Sequence, residues 1–271
     1  MNSEIASLVD THCHLTLNAF EKDRRQVIER AVEKGVRRIV VPGIDLQSSR
    51  EAVELAEEYP ALYAAVGIHP HRADTWNSSV AKELMQLSQA TSVVAIGEIG
   101  LDFYRNYTSR DVQLHAFHAQ LDIAAERMLP VIIHNREAIN EIVDDLLPWS
   151  SKLDETLEHR AGVLHAYSAD LSEAQRIIDA GFYLGIAGPI TYQNAKQLRN
   201  LIAKVPMTRL VVETDSPYLS PDPHRGKRNE PGNVKYVADQ LANVVEQDYK
   251  ETARFTSENA AGLFGWVHGT N

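Results

Sequence analysis

Eight short segments rich in Val, Ile, Leu and Ala alternate with longer amphipathic segments along the 271-residue chain, and this alternation most restricts its fold. Near-continuous apolar runs are typical of parallel strands that are covered on both faces. We predict strands at 7–14, 37–43, 62–69, 93–101, 130–134, 162–165, 183–188 and 209–215.

The intervening segments carry apolar residues at spacings of one, three and four, which predicts amphipathic helices. The first contains Val27, Ile28, Ala31 and Val32 and stops at Gly35, a common residue after a helix end. The predicted helices are 23–34, 48–59, 111–128, 172–180, 194–204, 234–246 and 250–263.

This repeated order of strand and helix predicts a closed (β/α)8 TIM barrel, with residues 1–271 forming a single domain. An open, doubly wound sheet is the main alternative. Residues 216–232 form a long irregular segment directly after the last strand, and a loop of this length is expected to be functional.

Composition limits the protein class. The net charge of −10 argues mildly against an extended nucleic-acid-binding surface, although bound cations can reverse the field of an acidic site. No apolar run reaches the roughly 20 residues that span a bilayer. The lone Cys13 fits a reducing compartment, and residues 1–7 lack the pattern of a signal peptide. We therefore expect a cytoplasmic protein with no membrane partner, and a monomer.

Histidines and carboxylates recur where the predicted strands end, on the face where barrel enzymes carry their chemistry. These residues are His12, His14, His69, Glu98, Asp102, His134, His165, Glu213 and Asp215.

His12 and His14 are two residues apart, so on a strand they point to the same side and could chelate one ion. Asp215 ends the last strand, which neighbours the first in a closed barrel; it could bind the same ion or accept a proton from water. Cys13 would face the helices as a small buried filler. The His-x-His pattern alone is weak evidence, so the prediction depends on further ligands.

Glu98 follows an apolar strand with no basic residue nearby, and a buried carboxylate is costly unless it is paired or metal-bound. Its two oxygens could bridge two ions. His134 and His165 end adjacent strands and are candidate ligands, although a single histidine in such a place is more often a core residue. His69 could touch substrate or stabilise the turn at Pro70.

Glu213 shares a strand face with Asp215. It is expected to orient a metal-binding side chain without binding the ion itself, or else to pair with an arginine. A set of nitrogen and oxygen donors without thiolates suits Zn²⁺, Mn²⁺, Fe²⁺, Co²⁺ or Mg²⁺. Such a site, with one or two ions, lowers the pKa of water and polarises the bond to be cleaved. The predicted reaction class is hydrolysis, with Asp215 and Glu98 as the catalytic carboxylates.

Basic residues near these strand ends suggest a phosphate-containing substrate. Arg225 and Lys227 follow the last strand, and Arg105 follows Glu98; all three are predicted to contact substrate. Tyr104 offers a ring on which a base could stack. The alternative for the loop is a solvated surface paired with Asp222 and Glu230.

Taken together, these motifs resemble the TatD family of metal-dependent deoxyribonucleases. The matching segments are Asp10-Thr11-His12-Cys13-His14-Leu15, Gly67-Ile68-His69-Pro70-His71, Gly97-Glu98-Ile99-Gly100-Leu101-Asp102, Pro130-Val131-Ile132-Ile133-His134, Glu213-Thr214-Asp215 and Arg225-Gly226-Lys227-Arg228-Asn229-Glu230-Pro231. The resemblance spans roughly residues 8 to 265 and implies an amidohydrolase-like barrel that hydrolyses DNA phosphodiesters, often from a 3′ end, with Mg²⁺.

The resemblance also implies roles for individual residues. His12, His14 and Asp215 would hold one ion, Glu98 would bridge, and His134 and His165 would hold a second. Asp102 lies in a family motif and is expected, like Glu213, to support the ligands.

Two segments depart from the family pattern: Asn135-Arg136 replaces Ser-Arg, and Ala166-Tyr167-Ser168-Ala169 replaces Cys-Phe-Ser-Gly. Both put the substrate preference in doubt. A barrel hydrolase of a small ester, lactone or amide is therefore the second hypothesis, although the chain offers no lysine for carboxylation at the fifth strand. A non-enzymatic metal-binding or scaffold protein is the third.

Overall fold

Eight parallel strands form one sheet in the order of the chain, from β1 to β8. The computed structural model describes residues 7–105 and 107–266. The strands are β1 (Leu8–Asp10), β2 (Val36–Pro42), β3 (Leu62–Val66), β4 (Val93–Asp102), β5 (Val131–Arg136), β6 (Gly162–Leu164), β7 (Phe182–Ile186) and β8 (Leu210–Val212). Residues 1–6, which belong to the segment expected to lack a signal peptide, lie outside the described residues. The assignment of residues 1–271 to a single domain stays a prediction.

Backbone hydrogen bonds join the last strand region to the first. The Thr11 N–H donates to the Val212 carbonyl at 3.2 Å, and the Asp215 N–H donates to the His12 carbonyl at 2.8 Å. A parallel bridge between Cys13 and Ser216 continues this seam. The predicted barrel is confirmed, and the doubly wound alternative is wrong because its strand order would reverse within the sheet.

Helices surround this sheet on the outside. They are α1 (Arg24–Glu33), α2 (Leu46–Glu58), α3 (Ser78–Leu87), α4 (Arg110–Arg127), α5 (Ile139–Ser150), α6 (Glu155–Glu158), α7 (Leu171–Asp179), α8 (Lys196–Ile202), α9 (Val234–Val244) and α10 (Tyr249–Phe264). All seven predicted helices are present, with ends shifted by at most two residues. Helices α3, α5 and α6 were not predicted; α5 contains Pro148, which normally ends a helical pattern. None of the described helices is long and apolar enough to cross a membrane.

Three strands that precede predicted ligands end earlier than predicted, at Asp10 in β1, Leu164 in β6 and Val212 in β8, whereas β4 and β5 extend one and two residues further. Beyond these three strands some backbone N–H groups bond to side chains: the Thr214 N–H donates to Asp10 Oδ1 at 2.8 Å. The candidate ligands after these three strands therefore lie in short irregular segments at the mouth of the barrel.

Two apolar clusters fill the molecule. The smaller cluster contains side chains from every strand, so it lies around the barrel axis. It also includes Phe264, the last residue of α10, and Trp266, which follows that helix. The larger cluster lies between strands and helices and includes the fully buried Cys13, as expected of a filler. Trp266 packs on Tyr63 near the start of β3, with ring centroids 4.7 Å apart. The amino-terminal end of the barrel is thus filled with apolar side chains, and polar side chains gather at the other end.

Candidate metal centre

Glu98 on β4 lies at the centre of the polar cluster, with only 2% of its surface exposed. Its Oε2 atom is 3.4 Å from Nε2 of His12 and 3.5 Å from Nε2 of His14. Its Oε1 atom is 2.8 Å from Nδ1 of His134 and 2.9 Å from Nε2 of His165. The two oxygens of one carboxylate therefore face two different pairs of histidines.

The first pair is completed by Asp215. Nε2 of His12 and Nε2 of His14 are 3.1 Å apart. Oδ1 of Asp215 lies 3.3 Å from His14 Nε2 and 3.8 Å from His12 Nε2. The donor atoms of His12, His14 and Glu98 all lie within 4.8 Å of one another, close enough to hold one ion.

The second pair also has a further neighbour. Nδ1 of His134 and Nε2 of His165 are 3.3 Å apart. His69 directs its Nε2 atom to Glu98 Oε1 at 3.6 Å, while its Nδ1 atom accepts the His71 N–H across the turn at Pro70. His69, Glu98 and His134 form a second set of donors within 4.8 Å. The structure thus brings all six predicted ligands together and adds His69 to them.

Glu213 lies behind the second pair and is fully buried. Its Oε1 atom accepts the Ala166 N–H at 2.6 Å and is 3.6 Å from Nδ1 of His165. Its Oε2 atom is 3.4 Å from the Thr11 hydroxyl, which donates to it. Its neighbours are therefore a histidine, a backbone amide and a hydroxyl, and not the arginine of the alternative prediction.

Asp102 supports the cluster from the end of β4. Its Oδ2 atom lies 2.7 Å from Nε2 of His71 and 3.3 Å from Nε2 of His134. Its Oδ1 atom accepts the backbone N–H groups of Tyr104 and Arg105 at 3.0 and 2.9 Å. The carboxylate thus joins the segment after β4 to a candidate ligand on β5.

Asp10, for which no role was predicted, supports the cluster in a similar way to Asp102. Its buried carboxylate accepts the His12 N–H at 3.3 Å and the Thr214 hydroxyl at 2.6 Å, besides the Thr214 N–H. It therefore joins the segment of His12 to that of Asp215. An aspartate two residues before His12, at the end of an apolar strand, was the available signal.

Burial and mutual attraction set the charges of the cluster. Burial lowers the pKa of His12 and, more strongly, that of His69, which favours the neutral form of both rings. Burial acts to raise the pKa of Glu98, but the surrounding histidines hold it well below the usual value. The same balance, with His14 as the main partner, lowers the pKa of Asp215.

The carboxylates raise the pKa of two further rings in the cluster. Burial acts to lower the pKa of His14, but Asp215 and Glu98 outweigh it and raise the pKa. Glu98 and Glu213 likewise raise the pKa of His165 well above its ordinary value against the effect of burial. Within the described residues, no lysine or arginine forms an ion pair with Glu98 or Asp215. This set of imidazoles and carboxylates fits one or two divalent cations.

The cluster lies at the floor of a cavity of about 540 Å³. Arg105 lines this cavity, as does His69. Arg225 and Lys227 are not among its lining residues; the guanidinium of Arg225 instead lies 4.2 Å from the ring centroid of Tyr192. The described cavity is thus lined by Tyr218 of this loop and not by its basic residues, and contact of Arg225 or Lys227 with substrate stays a prediction.

Hydrogen bonds of Asn229 explain the course of the loop. Its Nδ2 atom donates to the carbonyls of Thr214 and Tyr218 at 2.9 and 2.8 Å. Nearby, Arg228 binds Asp23 and Glu230 at 2.7 and 2.9 Å. These contacts hold the loop along the side of the barrel mouth and bring Tyr218 to the cavity instead of the basic residues.

Several lining residues had no predicted role: His71, Arg72, Tyr107, Arg136 and Tyr218. Arg136 lies two residues after His134 on β5, so the period of a strand could have placed both on one face. Tyr107 and Tyr218 lie in irregular segments, where no periodicity indicates a direction.

The family model for TatD related DNase matches residues 9–265. The chain belongs to the TatD family. The resemblance found in the motifs is thus confirmed over nearly the whole chain, and the hypothesis of a non-enzymatic scaffold is wrong. This TatD-family protein is a metal-dependent hydrolase.

Individual relatives support this TatD assignment. The chain is 41% identical to the uncharacterized metal-dependent hydrolase YabD of Bacillus subtilis over 95% of this chain and 98% of that one. It is 39% identical to the 3′-5′ ssDNA/RNA exonuclease TatD of Pectobacterium carotovorum over 95% and 99% of the two chains. The crystal structure of YJJV, a TatD homolog from Escherichia coli K12, is similar with a TM-score of 0.90 and 31% identity, over 97% of this chain and all of that one.

Proposed function

We propose that this protein is a 3′–5′ exonuclease that hydrolyses single-stranded nucleic acid, DNA foremost, with one or two divalent ions. One observation carries the proposal: the two oxygens of Glu98 face two histidine pairs at the floor of a cavity lined by arginine and tyrosine side chains. The relative with 39% identity is itself named an ssDNA/RNA exonuclease.

In this proposal, His12, His14 and Asp215 hold one ion, and His134 and His165 hold the other. Glu98 bridges the two groups, because each of its oxygens lies within 3.5 Å of both members of one histidine pair. Divalent ions bound there polarise the bond to be cleaved and lower the pKa of water. We propose Mg²⁺ as the ion that supports activity, with Mn²⁺ and Zn²⁺, which imidazole-rich sites also bind, as the ions to compare.

Individual side chains of the cavity have separate proposed roles in proton transfer and substrate binding. Asp215 is the proposed proton acceptor, since it lies at the cavity surface and its Oδ1 atom is 3.3 Å from Nε2 of His14. Glu98 is held by histidines on both sides and keeps its orientation. Arg105 and Arg136 line the cavity and offer guanidinium groups to phosphate oxygens. The exposed ring of Tyr218 offers a stacking surface to a base.

The shape of the site favours attack at a strand end. The barrel interior below the cluster is filled by side chains from all eight strands, so the cavity has a closed floor. A concave site with a floor can receive a strand end more readily than the middle of a duplex.

A labelled oligonucleotide tests the proposal. The protein is stripped of metal and reloaded with Mg²⁺, Mn²⁺ or Zn²⁺, then incubated with 5′-labelled single-stranded DNA. We expect a ladder that shortens from the 3′ end, and we expect phosphorothioate linkages at the 3′ end, but not at the 5′ end, to stop it. Circular single-stranded DNA should stay intact.

Matched variants make this test specific to the cluster. Glu98→Ala should abolish cleavage, while His115→Ala, an exposed histidine on α4, should leave it unchanged. Absence of DNA and RNA cleavage with every ion, together with turnover of a lactone or small ester, would instead support the second hypothesis of a small-ester hydrolase.

A further inference from the structure

Two guanidinium groups lie against the same tyrosine beside the metal centre. The guanidinium carbon of Arg136 is 4.1 Å from the ring centroid of Tyr104, and that of Arg105 is 5.5 Å from it. Both arginines line the cavity, whereas Tyr104 is not among its lining residues. The ring thus lies against two cationic groups at the cavity wall, and stacking of a base on it stays a prediction.

These two arginines differ from the paired arginines elsewhere in the chain. Neither side chain forms an ion pair or a hydrogen bond with any residue that the structure describes, whereas Arg30 and Arg228 both bind Glu230. In a chain with a net charge of −10, carboxylate partners are plentiful. The donors of Arg105 and Arg136 are therefore available to a ligand with anionic oxygens.

Backbone contacts fix both arginines next to the cluster. The Arg105 N–H donates to Oδ1 of Asp102 at 2.9 Å, and Arg136 is the register partner of Asp102 across β4 and β5. The Oδ2 atom of the same carboxylate lies 3.3 Å from Nε2 of His134. Asp102 thus lies next to the backbone of both arginines and contacts a candidate metal ligand, which keeps both arginines close to the cluster.

The spacing of His134 and Arg136 along β5 is comparable to the spacing of phosphates in a nucleic-acid strand. Arg136 follows His134 by two residues on β5, which corresponds to about 7 Å along a strand. Successive phosphates of a nucleic-acid strand are at least about 3.4 Å apart along its axis. Arg136 therefore lies within one or two phosphates of an ion bound by His134.

We infer that Arg105 and Arg136 together bind the phosphate next to the scissile one, and that Tyr104 positions both guanidinium groups for it. This inference rests on the proposed function, because it assigns a second phosphate site to the same substrate. Planar guanidinium groups bind phosphate oxygens in pairs of parallel hydrogen bonds, and a supporting ring reduces the side-chain entropy lost on binding. The site would select polymers over substrates that contain a single phosphodiester.

Two substrates separate this role from a role in the chemical step. Arg136→Ala and Arg105→Ala should each raise KM for a single-stranded oligonucleotide about tenfold or more, as expected for loss of a charged hydrogen bond. The kcat/KM for bis(4-nitrophenyl) phosphate, which has no neighbouring phosphate, should fall by a much smaller factor than the kcat/KM for the oligonucleotide. Arg37→Ala removes the same charge at the other end of the barrel, near the start of β2, and should change neither value.

A binding measurement tests the inference without catalysis. Metal-loaded protein is titrated with a fluorescent oligonucleotide whose 3′ linkages are phosphorothioates, over a range of NaCl concentrations. Removal of a phosphate contact should reduce the salt-dependence slope of log K by about 0.7. Tyr104→Ala should weaken binding in the same direction, and Tyr104→Phe, which keeps the ring, should restore it.

The outcomes distinguish the two proposals. Equal losses on both substrates, or an unchanged slope and KM in the arginine variants, would overturn the second phosphate site. Wild-type protein that binds the oligonucleotide with the expected slopes, but cleaves neither DNA nor RNA with any ion, would overturn the exonuclease proposal alone. Protein that does not bind the oligonucleotide at all would overturn both.

Discussion

Glu213 and His165 face each other at the base of the cluster, with Oε1 of the glutamate 3.6 Å from Nδ1 of the histidine. The opposite ring nitrogen, Nε2, is the atom that lies 2.9 Å from Glu98. A fully buried carboxylate behind a histidine can fix the ring orientation and increase the basicity of the outer nitrogen. We therefore propose that Glu213 acts on the candidate metal centre through His165.

Glu213→Gln should therefore weaken metal binding by about 10- to 100-fold, because the ring of His165 loses its negative partner. Competition with a chromogenic chelator measures the affinity. Glu57→Gln, an exposed position on α2, is the control and should bind metal like the wild type. Unchanged affinity in Glu213→Gln would mean that the carboxylate supports the fold and not the metal centre.

Glu98→Gln tests the bridging position. The amide keeps the size of the side chain but removes the charge that faces five histidines. We therefore expect both donor groups to lose affinity by more than about 100-fold, the upper range for a supporting residue. Metal content per chain, measured by mass spectrometry, should fall along with DNA cleavage. Retention of full metal content would contradict the bridging role.

Tyr218 provides a test of base stacking. Its ring is 56% exposed, lines the cavity, and has its centroid 6.2 Å from that of the His14 ring. Tyr218→Ala should weaken binding of single-stranded DNA by about 1–3 kcal/mol per stacked base, while Tyr218→Phe should retain it. Fluorescence anisotropy measures both. Equal weakening in the two variants would point to the hydroxyl group instead of the ring.

The ion pair of Asp23 and Arg228 gives a prediction about acid stability. The hydrogen bond from Arg228 lowers the pKa of Asp23 to about 2, against about 3.9 for an unfolded chain. A lowered pKa stabilises the fold above the unfolded value, and this stabilisation is lost as the pH falls towards 2. Because a third of each side chain is exposed, solvent screening limits the effect to about 1 kcal/mol or less.

Thermal unfolding of the wild type and Asp23→Asn measures this effect. The wild type should be the more stable from pH 7 down to about 4.5, and the difference should shrink between about pH 4 and pH 2. The Glu57→Gln variant should show no such trend. A difference that grows as the pH falls would contradict the assigned pKa shift.

Periodicity predicted the barrel and most of its helices because burial on one or both faces repeats along the chain. The predicted ligands follow from the same logic: the carboxyl ends of parallel strands meet at one end of a barrel, so His12, Glu98, His134 and Asp215 had to approach one another. Helix α5 carries the same signal, because Ile142, Val143 and Leu146 have helical spacing and Pro148 lies only in its last turn, so periodicity could have predicted this helix too.

The sequence by itself determined the alternation of strands and helices and the residue types that follow each strand, since both depend on local patterns. Only the tertiary structure decided the strand order and which basic and aromatic residues reach the cavity. Arg136 and Tyr218 line it, while Arg225 lies on Tyr192 outside it. The reason is that loop paths depend on long-range hydrogen bonds, such as that from Asn229 to the Thr214 carbonyl, which leave no periodic trace in the chain.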